Sequence, residues 1–209
     1  MRKWIFTLLV FGALGGILPE AHAIQTASSF DISYSYLGLS LDTIVNNEVT
    51  SSRSLTSYTG AEIDYNVALF DYKTVATVSF AQYETSNLGN RPLTRIALGA
   101  SYHFIHVNGQ RVILDNGVEG KSWGISPALE LTLGLSYLSV KDPGQQDFEF
   151  TSSMFDLMPR FLLEIPASPS FLVMVRLGYL KSFGSSGASK YNVTYSGFVA
   201  DLGFKLTTF

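Results

Sequence analysis

The chain has 209 residues, enough for one domain and too few for a large second one. Lys and Arg number 14 against 17 Asp and Glu, a net charge of −3 with no basic stripe, which argues against a nucleic-acid partner. Cysteine is absent, so a disulfide framework and a thiolate metal site are both excluded. No other pattern points to a cofactor or metal. Charged residues make up only 15%, against roughly 25% in an average soluble domain, and mean hydropathy is positive. Part of the surface is therefore expected to face something other than water.

Met1-Arg2-Lys3 gives a positive start, Trp4 to Leu18 is apolar, and Ala21-His22-Ala23 supplies small residues around a cleavage point. This is the layout of a secretory signal peptide over 1–23, with the exported domain over 24–209. The apolar run stops at Pro19-Glu20, short of the roughly 20 residues a helical anchor needs.

Beyond it, the recurrent pattern is alternation of period two between turn-forming residues, the signature of strands. The first run sets Phe30, Ile32, Tyr34 and Tyr36 against Asp31, Ser33 and Ser35, then changes phase near Gly38, where a bulge is expected. The second sets Ala61, Ile63, Tyr65, Val67 and Leu69 against Glu62, Asp64 and Asn66. The third, Thr74 to Ala81, leaves its facing open. In the fourth, Ile96, Leu98, Ala100, Tyr102 and Phe104 oppose Arg95, Ala97, Gly99, Ser101 and His103.

Val107-Asn108-Gly109-Gln110 reads as a hairpin turn leading into Arg111 to Leu114. The role of 107–123 stays open, and with it a count of eight or ten strands. The fifth run alternates Leu129 to Tyr137 with Glu130, Thr132, Gly134 and Ser136 before breaking at Asp142-Pro143-Gly144. The sixth, Phe155 to Ile165, carries Asp156, Arg160 and Glu164 on its polar face, and its Pro159 calls for a local bulge. Pro166 to Pro169 links it to the seventh, Phe171 to Tyr179 with Arg176 opposed. The last carries Phe198, Ala200, Leu202, Phe204 and Leu206 against Asp201 and Lys205.

The polar faces are mostly Ser, Thr, Gly and Ala with single charges, which suits a crowded lumen rather than a soluble exterior. The apolar faces run without a charge and end in Tyr or Phe, as a lipid-facing band with aromatic girdles does. In hydrocarbon such strands span only if the sheet closes. The expected fold is a closed, antiparallel, up-and-down transmembrane β-barrel of eight strands. Links after even strands then lie with the termini. Loops near Asn46 to Ser54, Thr85 to Arg91, Lys141 to Ser152 and Ser185 to Lys190 lie at the other end.

In its signal peptide, strand pattern and terminal Phe209, the chain resembles the small bacterial outer-membrane barrels typified by the transmembrane domain of outer-membrane protein A. The resemblance implies the outer membrane of a Gram-negative bacterium. Its implied partners are outer-membrane lipid and lipopolysaccharide, the assembly machinery that recognises a terminal aromatic such as Phe209, and an extracellular ligand met by the loops. Phe209 has the opposite parity from Phe204 and Leu206, which requires either a bend in the last residues or the reverse facing.

Glu62, Asp64, Glu130, Asp156, Arg160, Glu164, Arg176, Asp201 and Lys205 all fall on the inward faces, where charges must pair or meet water. A plugging ion-pair network is the leading expectation and a narrow, low-conductance, porin-like path the second. Ser101 and His103 share a face and raise acyl transfer as a third. Outer-membrane lipid A deacylases, which the chain resembles in size, place His before Ser, the reverse of the order here. No catalytic residue is therefore assigned and the chain is not expected to be an enzyme. His103 and His106, three apart, would lie on opposite faces of a strand and not share a metal.

Overall fold

Alternating apolar and small polar residues commit most of the chain to extended backbone, and the ladder then closes on itself. This computed structural model describes residues 28–45, 48–54, 57–69, 73–85, 92–109, 111–113, 119–141, 149–168, 170–183 and 192–208. The expected signal peptide and Phe209 lie outside them.

The strands are β1 (Ser28–Val45), β2 (Glu48–Ser54), β3 (Tyr58–Ala68), β4 (Thr74–Thr85), β5 (Leu93–His103), β6 (Arg111–Ile113), β7 (Glu119–Lys121), β8 (Ser126–Lys141), β9 (Glu149–Ser168), β10 (Phe171–Phe183) and β11 (Asn192–Thr208). Eight of them, all but β2, β6 and β7, form the wall. Each pairs antiparallel with the next, and β11 returns to β1 with Ser28 opposite Thr208 and Ile44 opposite Asn192. The barrel is closed, antiparallel and up-and-down, as the alternation predicts. One end carries Ser28 and Thr208 and is called here the terminal end; the other is the far end.

Facing follows the sequence pattern. Ile32, Leu98, Leu133, Leu202, Phe204 and Leu206 are exposed on the outer wall, while Asp31, Glu62, Arg95 and Thr132 are buried inside. The open third run is settled by β4, whose Val75, Thr77, Ser79, Ala81 and Tyr83 face inward. With Phe204 and Leu206 outward, the reverse facing is removed. Aromatic pairs mark the outer wall at the terminal end: Phe30 with Tyr65 at 5.0 Å between ring centroids, and Phe171 with Phe204 at 5.1 Å. Toward the far end Tyr36, Tyr137, Phe155, Phe183 and Phe198 are exposed. Two aromatic belts therefore bracket an apolar band.

Several local expectations need correction. No bulge occurs at Gly38, where the β1 register against β11 is continuous; the irregularity lies at Thr43/Ile44, against β2. What changes at Gly38 is the polarity of the faces. Leu37 and Leu39 are buried inside, and Ser40 and Asp42 take the outer side. The same inversion occurs in β4, with Tyr83 inside and Gln82 and Glu84 outside. Beyond the far aromatic belt the wall is patterned for water outside and oil inside. Leu37, Leu39, Tyr83, Leu93, Leu138, Met154, Leu180 and Tyr195 belong to one apolar core there.

Pro159 causes no bulge either. It sits in register opposite Leu131, and on its other side the ladder skips Tyr179 and Leu180 and resumes with Lys181 opposite Leu157. The missing N–H is absorbed where the β9–β10 ladder lapses over these two positions. The register shift in this hairpin lies instead at Phe171/Leu172, beside the Pro166 link. Two expected loops begin or end as strand: 48–54 is β2 and 149–152 belongs to β9.

The 107–123 stretch adds no wall strand. β6 and β7 form a separate two-stranded sheet. The Asn108-Gly109 turn, with Gly109 at φ 81°, leads into this hairpin rather than forming its tip. The Gly109 N–H donates to the Ser122 carbonyl at 3.0 Å. Val107 packs with Ala68 and Val75, and Asn108 is buried. Val107 and Asn108 thereby turn inward at the terminal end.

Candidate functional site

Inward-pointing side chains in a barrel this narrow meet across the lumen, so strands that are not neighbours come into contact. All nine charges picked out in the sequence are buried on the inner face: Glu62, Asp64, Glu130, Asp156, Arg160, Glu164, Arg176, Asp201 and Lys205. Two more join them, Asp31 on β1 and Arg95 on β5. Their parity signalled both, since Asp31 alternates with Phe30 and Ile32, and Arg95 precedes the outward Ile96.

The eleven divide into three groups. At the centre, Arg160 on β9 donates from Nε to Glu130 Oε1 at 2.8 Å and from Nη1 to Asp201 Oδ2 at 3.0 Å. Its Nη1 also stands 2.7 Å from Glu62 Oε1. Arg176 on β10 donates from Nη2 to Asp31 Oδ2 at 2.8 Å. Its Nη1 lies 2.7 Å from Asp64 Oδ2, off the hydrogen-bond direction. Glu62 further accepts from the Tyr83 hydroxyl at 3.1 Å and from Ser79 at 3.2 Å. Two guanidiniums thus bind five carboxylates drawn from β1, β3, β8 and β11. Burying such ions is costly, and the fork of donors on each Arg is what makes the cluster tenable.

The other two groups are single pairs. Arg95 Nε donates to Asp156 Oδ1 at 2.8 Å and Nη2 to Thr132 Oγ1 at 2.8 Å, while Ser136 bonds both Asp156 and Tyr195. Toward the terminal end, Lys205 donates to Glu164 Oε1 at 2.7 Å and Asn108 Nδ2 to Glu164 Oε2 at 3.0 Å, tying the inturned segment to the wall. Gly134 is required beside the first pair, because a Cβ there would lie 2.6 Å from Asp156 Oδ1 and 2.7 Å from Arg95 Nε. The Gly134→Ala variant is expected to lose about 1–3 kcal/mol through overpacking, read as a lower urea midpoint for the folded band on an unheated gel.

Ser101 and His103 are also inward. His103 Nδ1 lies 2.9 Å from Ser126 Oγ and Nε2 3.4 Å from Ser101 Oγ, and Ser126 donates to the His106 carbonyl. His106 lies past the end of β5, so the opposite-face argument does not apply to it. Ser101, His103 and Ser126 are all buried, and their hydrogen bonds are made with one another and with the inturned segment. Among the described residues no cluster of three or more His, Cys, Asp or Glu is arranged to hold a metal ion.

No protein-family model matches the sequence, and no curated protein does. Solved structures do match the fold. Neisserial surface protein A aligns with a TM-score of 0.55 and 14% identity over 85% of this chain and 96% of that one. The N-terminal β-barrel domain of Pseudomonas aeruginosa OprF aligns with a TM-score of 0.51 and 14% identity over 88% and 100%. Closed by β11 on β1, girdled twice by aromatics and similar over most of its length to these structures, the chain has the fold of the small eight-stranded outer-membrane barrels.

Proposed function

We propose that the chain is exported by its 1–23 segment and inserted in the outer membrane of a Gram-negative bacterium. There it serves as a non-enzymatic barrel whose far-end strands and loops meet a partner at the cell surface. On this reading Phe209 addresses the assembly machinery, lipid and the acyl part of lipopolysaccharide surround the wall, and the terminal end faces the periplasm.

The observation that carries the reading is the uneven height of the far rim. β11, β1 and β2 rise together, with Ile44 opposite both Asn192 and Val49. Half-way round the ring, β8 and β9 rise as a hairpin to Lys141 opposite Glu149. β4 and β5 stop lower, at Thr85 and Leu93. Among the described residues, two ridges of paired backbone rise above the ends of β4 and β5, and strand edges without a described neighbour are surfaces on which another chain can pair.

The charged interior supports a closed lumen. Arg160 and Arg176 lie with their carboxylates across the centre, the apolar core seals the far side, and Val107 and Asn108 turn inward at the terminal end. The porin-like alternative is disfavoured by these three layers, and lipid modification by the burial of Ser101 and His103. In planar bilayers the purified protein is expected to give no unitary conductance; reproducible openings altered by Glu130→Gln would overturn the closed lumen. For the surface role, cells displaying the wild type are compared with a variant in which 46–54 and 142–148 are cut to tight turns. Binding to a panel of extracellular polypeptides is expected to disappear with the ridges while the heat-dependent gel shift stays, and equal binding by both would sink the reading.

A further inference from the structure

The lipid-facing band is not uniformly bulky. On β5, Ala100 stands opposite Ala76 of β4 on one side and Leu131 of β8 on the other, and Leu131 stands opposite Pro159 of β9. The next row toward the terminal end is large throughout: Tyr102, Leu129 and Phe161 are cross-strand partners in turn. The step from the Ala100 methyl and the Pro159 ring to this row leaves an open trough of about 480 Å³ across β5, β8 and β9. That volume falls in the range of ligand sites, roughly 300–1,000 Å³. One end of the wall is fixed by the edge-on contact of Tyr102 with Phe104, at 6.1 Å between ring centroids.

We infer that this trough is a binding site for one acyl chain of a phospholipid in the leaflet at the terminal end. The inference rests on the membrane reading above and adds to it a place where lipid is held rather than merely adjacent. Three observations select the occupant. The trough is continuous with the exposed apolar band between the two aromatic belts, so hydrocarbon is what already surrounds it. Of the residues that line it, Glu130 and Arg160 are buried on the inner face and paired with each other, so a headgroup or a peptide finds no free ionic partner inside, whereas a chain of methylenes needs none. It is open along its length, as lateral entry from a bilayer requires, and its walls are rigid strand rather than loop.

The test uses the full exported barrel in phosphatidylcholine vesicles containing a phospholipid with a photoactivatable acyl chain, with adducts mapped by mass spectrometry. Adducts are expected to concentrate on the peptides bearing Ala100, Leu131 and Pro159 relative to the outward Leu202 and Tyr34. Filling the trough with Ala100→Phe is expected to abolish that concentration and leave adducts at Leu202 unchanged. Leu131→Phe fills it from the neighbouring strand should the first variant fail to give the heat-dependent gel shift. An even spread of adducts around the wild-type wall overturns the site, as does a concentration that survives both variants. A protein dimer crosslinked through these peptides in place of lipid would assign the trough to a second copy and overturn it too. Absence of adducts at every outward position, Leu202 included, would remove the membrane reading itself and the site with it.

Discussion

The Arg160→Met variant is expected to lose about 3–5 kcal/mol of stability, the usual cost of breaking a buried ion pair by removing one partner. Methionine keeps most of the volume and removes the charge, leaving Glu62, Glu130 and Asp201 without the guanidinium that binds all three. The central cluster already holds more carboxylates than cations, and Arg176, which stands 3.5 Å from Glu130 and 3.9 Å from Glu62, is already shared with Asp31 and Asp64 and compensates only in part. The measurement is a urea titration in phospholipid vesicles, following the folded band and Trp123 fluorescence. Adding Glu62→Gln and Glu130→Gln to Arg160→Met is expected to recover much of the loss, since replacing a whole buried ionic network is often close to neutral. A loss below about 1 kcal/mol, the value of a solvated surface pair, would show that water reaches the cluster. The closed-lumen reading would then fail.

The second large effect lies on the other face of the wall. Leu133→Arg is expected to cost about 2–4 kcal/mol if the residue sits near the bilayer midplane, whereas a charge near an interface costs about 0–1 kcal/mol. Leu133 is 64% exposed on the outer wall, so in a water-soluble barrel the same change would be nearly silent. Gln82 is also exposed but lies beyond the last outward aromatic of β4, Phe80. Gln82→Arg is therefore expected to leave the urea midpoint unchanged. Equal midpoints for the two variants would overturn the placement of the apolar band in lipid.

Much of this architecture was legible in the alternation of single residues. In β8, Leu129 to Tyr137 against Glu130 to Ser136 determines which side chains face out, because a strand has only two faces. The misreadings share a physical origin. At Gly38 the pattern inverts because the strand passes from hydrocarbon to water, and a rule that expects one solvent per strand mistakes that boundary for a bulge. At Pro159 the β9–β10 ladder lapses over two positions and resumes in the same register, with Tyr179 and Leu180 held by β11 on their other side, a support that β9 alone does not reveal.

The charges were legible as inward but not as partners. Arg160 meets Glu62 across the lumen, and Arg176 meets Asp64 and, past β11, Asp31, none of them on an adjacent strand. Parity along a strand carries no information about what stands opposite across an interior. Asp31 and Arg95 were on the correct faces and were passed over because each stands alone among serines or alanines. The inward turn of Val107 and Asn108 escaped for the opposite reason: it is held by single bonds, Asn108 to Glu164 and Gly109 to Ser122, with no periodic pattern to announce them.

The arginines also bear on how the ring is assembled. Arg176 reaches from β10 to Asp31 near the start of β1, and Arg160 from β9 to Glu62 on β3 and Asp201 on β11. Neither has its full set of partners while the first and last strands remain apart, and a seam slipped by one residue would turn Asp31 or Asp201 into the hydrocarbon. The interior therefore works as a combination lock on the seam: only one alignment of the two chain ends lets every guanidinium find its carboxylates, so a mis-zipped ring is penalised from within before any surface contact is made.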